Sequence, residues 1–241
     1  MLPIEQNTDP LDFADGPNLK RYAMYKILRL IVIGLVFMSR NLLGEEDYRE
    51  ITRQSYDRTA SEYQENTLKL QPEVKAKVFL SHLSPNSKIL DLGCGPGRDA
   101  KYFVDKGYRV VGVDISPQMI ALARDSVPQA DFIVSDIESL NLNCESVDAI
   151  WASASLLHVS KQAMPSVLAN LYRTLKPGGI FYVSMKRGIG EELRADDRYG
   201  GVEKFWNYLS EDELADLIVE GGFQIIEQDT HEKSTIYQTH P

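Results

Sequence analysis

Residues 89–100, Ile-Leu-Asp-Leu-Gly-Cys-Gly-Pro-Gly-Arg-Asp-Ala (ILDLGCGPGRDA), run from an apolar strand through a glycine-rich turn into a helix expected over about 97–106. This is where doubly wound α/β sheets bind ligands, at the carboxyl end of the first strand. Gly93, Gly95 and Gly97 lack the Cβ that would keep backbone away from a ligand and forbid left-handed dihedrals. A nicotinamide or flavin dinucleotide calls for G-x-G-x-x-G, but the position after Gly97 is Arg98. Asp91 also adds a carboxylate at the mouth of the turn, which suits a cationic ligand better than a pyrophosphate.

Beyond this stretch, short β-rich runs alternate with helical ones, the pattern of an α/β domain with a mostly parallel sheet. Strands are expected at 88–92, 109–114, 131–135, 148–152, 179–185, 223–228 and 234–239, seven in all. The last two lie too close for a helical crossover, so a hairpin makes one C-terminal strand antiparallel. Ser116 with Pro117 reads as a helix N-cap and first residue, and Ser210 with Glu213 as a capping box. The helix over 163–175 stops at Lys176-Pro177-Gly178-Gly179. The stretch 185–209 reads as a loop carrying Lys186, Arg187, Arg194 and Arg198 beside Tyr199, Phe205, Trp206 and Tyr208. It is either a cap over a partly anionic, partly apolar substrate or a solvated charged loop, the bland alternative being at least as good.

Two further acids end strands. Asp114 follows Asp91 by 23 residues, where a carboxylate can accept both hydroxyls of a ribose, and Asp136 closes the third strand after Ser135. The 241 residues contain 26 Lys and Arg against 35 Asp and Glu, a net charge of −9. That balance disfavours DNA as a partner. The two cysteines, Cys94 and Cys144, stand apart from any residue at metal-ligand spacing, so neither a metal site nor a disulfide is indicated and a reducing, cytoplasmic location fits.

With these motifs in order, the sequence resembles the class I S-adenosylmethionine-dependent methyltransferases, from about residue 56 to the C-terminus. ILDLGCGPG is similar to their glycine motif and VVGVDIS to their ribose-binding acid. VSDIESL resembles their adenine-contacting segment, VDAIWASASLLHV their fourth-strand motif and LYRTLKPGGIFYVS the helix and strand that follow. The resemblance implies a Rossmann-like methyltransferase fold with S-adenosylmethionine as cofactor. It implies Gly93, Gly95 and Gly97 beside the cofactor, Asp91 near its amino-acid end, and Asp114, followed by Ile115, on the ribose. Ser135, Asp136 and Ile137 would flank the adenine, and Ser153 would lie at the cofactor from the fourth strand. Cys94, within the loop, reads better as a small space-filler than as a contact. The alternative for Asp91 and Asp114 is that they merely cap neighbouring helices.

A methyl-transferring site has to align donor and acceptor, exclude water and sometimes remove a proton. His158 is the histidine nearest a strand end, with an intrinsic pKa suited to accepting a proton, or it packs on the cofactor's base. The segment YDRTASEYQ places Tyr56 and Tyr63 in a stretch that resembles the N-terminal helical cover of small-molecule members. Aromatic faces there favour a sulfonium charge, so Tyr56, Tyr63 and His158 are the substrate-side residues, with His158 and Tyr63 as catalytic candidates. The fourth-strand segment WASAS lacks the pattern of the family's DNA-base and glutamine methyltransferases, leaving a small-molecule acceptor. A nicotinamide-dependent oxidoreductase and a non-catalytic binding protein are the rival readings.

The expected organisation is an N-terminal extension over 1–44, a helical lid over 45–86 and the α/β core over 87–241. The apolar run at 27–38 has about twelve residues and contains Arg29, whereas a transmembrane helix takes about twenty apolar residues, so no stable membrane insertion is expected. It is either an added packing helix or a translated region ahead of a start at Met38, which N-terminal sequencing decides.

Overall fold

The computed structural model describes residues 47–67, 70 and 72–230, all within the unit Asp47–Pro241. Helices α1 (Tyr48–Thr67) and α2 (Glu73–Ser81) come first. They are followed by β1 (Lys88–Leu92), α3 (Arg98–Asp105), β2 (Arg109–Asp114), α4 (Pro117–Ser126), β3 (Asp131–Val134), β4 (Val147–Ser153), α5 (Met164–Thr174) and β5 (Leu175–Ser184). The five strands form a parallel sheet in the order β3-β2-β1-β4-β5. The chain therefore reverses direction across the sheet between β1 and β4, which opens a crevice at their carboxyl ends.

Both faces of the sheet are covered because successive strand residues face opposite ways and both sets are apolar. Leu90, Leu92, Val113 and Ile150 bury one face against Leu168 and Leu171 of α5. Ile89, Val110, Ala149 and Trp151 bury the other against Phe79 of α2, Phe103 of α3 and Ile120 of α4. Trp151 stacks on Tyr182 at 3.9 Å between ring centroids. Its Nε1 donates to Asp99 Oδ2 at 2.8 Å, which partners both buried groups.

The local signals are borne out. Ser116 Oγ accepts from Met119 N at 3.1 Å, and Ser210 with Glu213 closes a capping box at α6 (Glu211–Glu220). The Pro-Gly-Gly cluster ends α5 but also bulges β5, because Val147 pairs with Leu175 while Ala149 pairs with Ile180.

Seven strands are present among the described residues, but they are divided differently from expectation. Residues 190–208, read as loop, form the separate antiparallel pair β6 (Gly190–Asp196) and β7 (Val202–Tyr208), turned through Gly200 and Gly201 at positive φ. β6 reads GEELRAD and exposes most of its residues, so it has none of the apolar alternation that marks a half-buried strand. It is held by pairing to β7, and β7 in turn by α1. Thr52 Oγ1 accepts from Phe205 N at 3.0 Å and Ser55 Oγ donates to Glu203 O, so helix side chains satisfy the free edge of β7. Residues 223–228, expected as a strand, are irregular. The strand expected over 234–239 and the N-terminal readings for 1–46 lie outside the described residues. No helix among the described residues is long and apolar enough to cross a membrane, and no metal-binding cluster is found among them.

Candidate active site

The glycine turn follows directly from β1. Gly93 N and Cys94 N both donate to Val113 O, at 2.7 and 2.9 Å, tying the turn to β2. Gly93 takes φ +73°, and a Cβ there would lie 2.3 Å from Ser155 Cβ; at Gly97, φ +87°, it would meet Ala123 Cα of α4 at 3.2 Å. Both positions need glycine for backbone shape and for close packing. Asp114 braces the turn: Oδ2 accepts from Gly95 N and Oδ1 from Ser116 N, each at 2.9 Å. Burial pushes its carboxyl up to about 6, against the pull of those two N–H groups.

Asp91 is 2% exposed and its Oδ2 has no hydrogen-bond partner. Burial first, and the charge of Asp99 second, push its pKa up. Cys94 is buried against Gly112, and burial raises its thiol, which fits a space-filler and leaves it a poor nucleophile.

A cavity of about 90 Å³ opens above the turn at the carboxyl ends of β1, β2 and β4. Of the residues singled out in the sequence it brings together Gly93, Gly95, Asp114, Ile115, Asp136, Ile137, Ser153, Tyr56, Tyr63 and His158. Asp91, Cys94, Gly97 and Ser135 do not line it. Asp91 sits behind the turn beside Asp99 and Arg98 instead of at its mouth, because the β1 pleat turns its side chain away from the open side. Ala154 and Ser155, in the expected stretch after the fourth strand, also line it, and Arg49, Thr52, Met119 and Val159, not singled out in the sequence, complete the lining. Ala154 takes φ +53°, a strained value for a residue with a Cβ, and its N donates to Ser184 Oγ at 2.9 Å.

α1 roofs the cavity through polar contacts to the rim. Arg49 Nη1 donates to Asp136 Oδ2 at 3.3 Å, Asp57 Oδ1 accepts from Ser116 Oγ at 2.6 Å, and Tyr48 pairs with Glu138. Tyr63 stands over Gly95, its ring edge 3.8 Å from where a Cβ would be.

His158 is fixed at both ring nitrogens. Nδ1 lies 2.6 Å from Phe205 O and Nε2 2.8 Å from Tyr56 Oη. A carbonyl only accepts, so Nδ1 carries the proton and Nε2 accepts from the Tyr56 hydroxyl. Burial drives His158 down to about 3, and Lys204 and Lys186 add to the effect, so the ring is neutral at physiological pH. The expectation of a histidine that titrates near neutrality is not met, because burial penalises the cation. Burial likewise raises the Tyr56 phenol well above its ordinary value.

Beside this pair lies Lys204, 1% exposed. Its Nζ is 3.1 Å from Asp196 Oδ2 and stands 4.2 and 4.7 Å over the rings of Tyr56 and Tyr199. Asp196 also takes both Nε and Nη2 of Arg198, at 2.8 and 2.9 Å. The one sequence signal for Lys204 is its place in the β7 run VEKFWNY, a charge among apolar neighbours.

Residues 89–179 match the family model of the methyltransferase domain. The malonyl-(acyl-carrier protein) O-methyltransferase of Salmonella typhimurium is 29% identical over 141 residues, 58% of this chain and 55% of that protein. The trans-aconitate 2-methyltransferase of an Azoarcus species is 34% identical over 111 residues, 45% of this chain and 43% of that protein. The chain thus spans about half the length of the curated relatives it matches. A crystal structure of an S-adenosylmethionine-dependent methyltransferase from Methanosarcina mazei superposes with a TM-score of 0.56 at 24% identity, covering 63% of this chain and 85% of that one, a likeness of fold.

Proposed function

We propose that this chain, whose core is a class I methyltransferase domain, transfers a methyl group from S-adenosylmethionine to a small-molecule acceptor and releases S-adenosylhomocysteine. The observation that carries the reading is the glycine turn braced by Asp114 at the crevice between β1 and β4. The residues present fit the cofactor. Ser155 Oγ, in the cavity wall, is buried without a partner, and Gly93 and Gly95 line the cavity with no Cβ to hold a ligand off.

Asp114 would accept the ribose hydroxyls, with Gly93, Gly95, Ile115 and Ser153 against the adenosyl and amino-acid parts and Asp136 and Ile137 at the adenine. Asp91 and Gly97 act from behind the turn, holding its shape and its charge. Bound there, the cofactor supplies an electrophilic methyl group on a positively charged sulfur. α1 serves as the cover, excluding water over the cavity while its Tyr56 and Tyr63 supply aromatic wall, whereas α2, expected as part of the lid, packs Phe79 against the sheet. The Tyr56 hydroxyl donates to His158 Nε2, and neither neutral group is a strong base in this setting. The chain's own residues therefore position an acceptor that arrives with its lone pair free, and His158 positions Tyr56.

Calorimetric titration tests the reading. S-adenosylhomocysteine binds with micromolar affinity and NADH does not, and Asp114→Ala weakens binding about tenfold or more through loss of charge-assisted hydrogen bonds. Binding of NADH without S-adenosylhomocysteine would overturn it.

A further inference from the structure

A cleft of about 1710 Å³ is lined in part by Lys186, Arg194, Arg198, Trp206 and Tyr208. The Trp206 ring lies 5.0 Å from that of His158, which lines the cavity above the glycine turn. Trp206 is 5% exposed, and its Nε1, a donor with no other use, has no acceptor. Leaving such a donor buried and unpaired costs about 1 to 3 kcal/mol, so the site is built for an acceptor atom.

Lys186 stands over the same ring, Nζ 3.6 Å from its centroid. It follows β5 at the carboxyl end of the sheet, the end that carries the glycine turn. Among the described residues no carboxylate forms an ion pair with it. Asp196 is the nearest opposite charge, but that carboxylate already serves both Arg198 and Lys204. Arg194 shares the Tyr208 hydroxyl with Glu192, and Asp197 is exposed. Three cations, Lys186, Arg198 and Lys204, thus share one carboxylate. Burial and the neighbouring cations pull Lys186 down to about 8, as expected of a cation short of a counter-charge.

We propose that Lys186 and Trp206 Nε1 form an anchoring subsite for a carboxylate of the methyl acceptor, with Arg198 and Lys204 supplying the surrounding positive field. This rests on the methyl-transfer reading, which it narrows to acceptors bearing a carboxylate. A carboxylate matches both features: one oxygen accepts from the indole N–H while the charge pairs with the ammonium. The weak bases at Tyr56 and His158 agree, because an acidic acceptor is already ionised. No bond is made or broken at Lys186.

The test is titration of the full chain, saturated with S-adenosylhomocysteine, with malonate, succinate and trans-aconitate, with the trimethyl ester of trans-aconitate and inorganic phosphate in parallel. At least one carboxylate should bind, the ester and phosphate about tenfold more weakly or not at all. Lys186→Met should weaken carboxylate binding about tenfold, with Lys186→Arg restoring most of it, and Trp206→Phe, which keeps a ring but removes the donor, should weaken it about fivefold or more. S-adenosylhomocysteine affinity should be the same in all three variants, which also shows that they are folded. No binding by any carboxylate, equal binding by the Lys186→Met variant, or tighter binding of phosphate overturns the subsite. Failure of S-adenosylhomocysteine to bind the wild type would instead overturn the methyl-transfer reading.

Discussion

Removing the Asp114 carboxylate should flatten the dependence of stability on pH, and the size of the effect follows from its surroundings. An aspartate in the unfolded chain titrates near 3.8, whereas burial moves this one to about 6 in the folded chain. At about 1.4 kcal/mol for each pH unit, that difference corresponds to about 3 kcal/mol. Asp114 lines the cavity and is only partly enclosed, so water reduces the effect to about 1.5 to 3 kcal/mol. The sign follows from linkage: the folded state holds its proton more tightly. The contribution favours folding below pH 3.8 and is lost as pH rises through about 6. Urea unfolding of ligand-free wild type and Asp114→Ala, from pH 4 to pH 8, isolates the term. Unpairing Gly95 N and Ser116 N shifts the variant by a constant amount, while the gap between the curves should change by about 1.5 to 3 kcal/mol in favour of the variant as pH rises. Parallel curves would refute the reasoning. A gap changing in the opposite direction would mean that the two N–H groups outweigh burial and that Asp114 is ionised at little cost.

Gly93→Ala combines a left-handed dihedral with a Cβ 2.3 Å from Ser155 Cβ, so it should destabilise the chain by about 2 to 5 kcal/mol in urea unfolding and weaken S-adenosylhomocysteine binding; wild-type stability would show that the turn after β4 yields at Ser155. Asp196→Asn leaves Lys204 buried without its counter-charge and should cost about 3 to 5 kcal/mol at pH 7. The wild-type carboxyl sits at about 2, chiefly through Arg198 and Lys204 working against burial, so its contribution is present above pH 3.8 and lost as pH falls towards 2. The difference between the two proteins in thermal denaturation should shrink over that interval.

What could be read from sequence is what neighbours along the chain decide. The central parallel strands β1, β2 and β4 announce themselves as apolar runs because both of their faces are largely buried. Ser116 and Ser210 cap their helices through bonds spanning three residues, and the glycines of the turn are required by dihedrals set within the turn itself. The fold class and most of the cavity's lower wall follow from such signals. Of the upper wall, Tyr56 and Tyr63 are expected from the resemblance and line the cavity, but the contacts that hold that wall in place join residues far apart in sequence. β6 is mostly charged and becomes a strand only by pairing with β7, whose edge α1 satisfies from about 150 positions away. Arg49 reaches the rim because α1 lies across it. Asp91, a site acid by its position in the motif, is turned behind the loop by the pleat. The protonation of His158 is likewise beyond the motif: it is set by a backbone carbonyl of β7, a tyrosine of α1 and the burial that their packing produces.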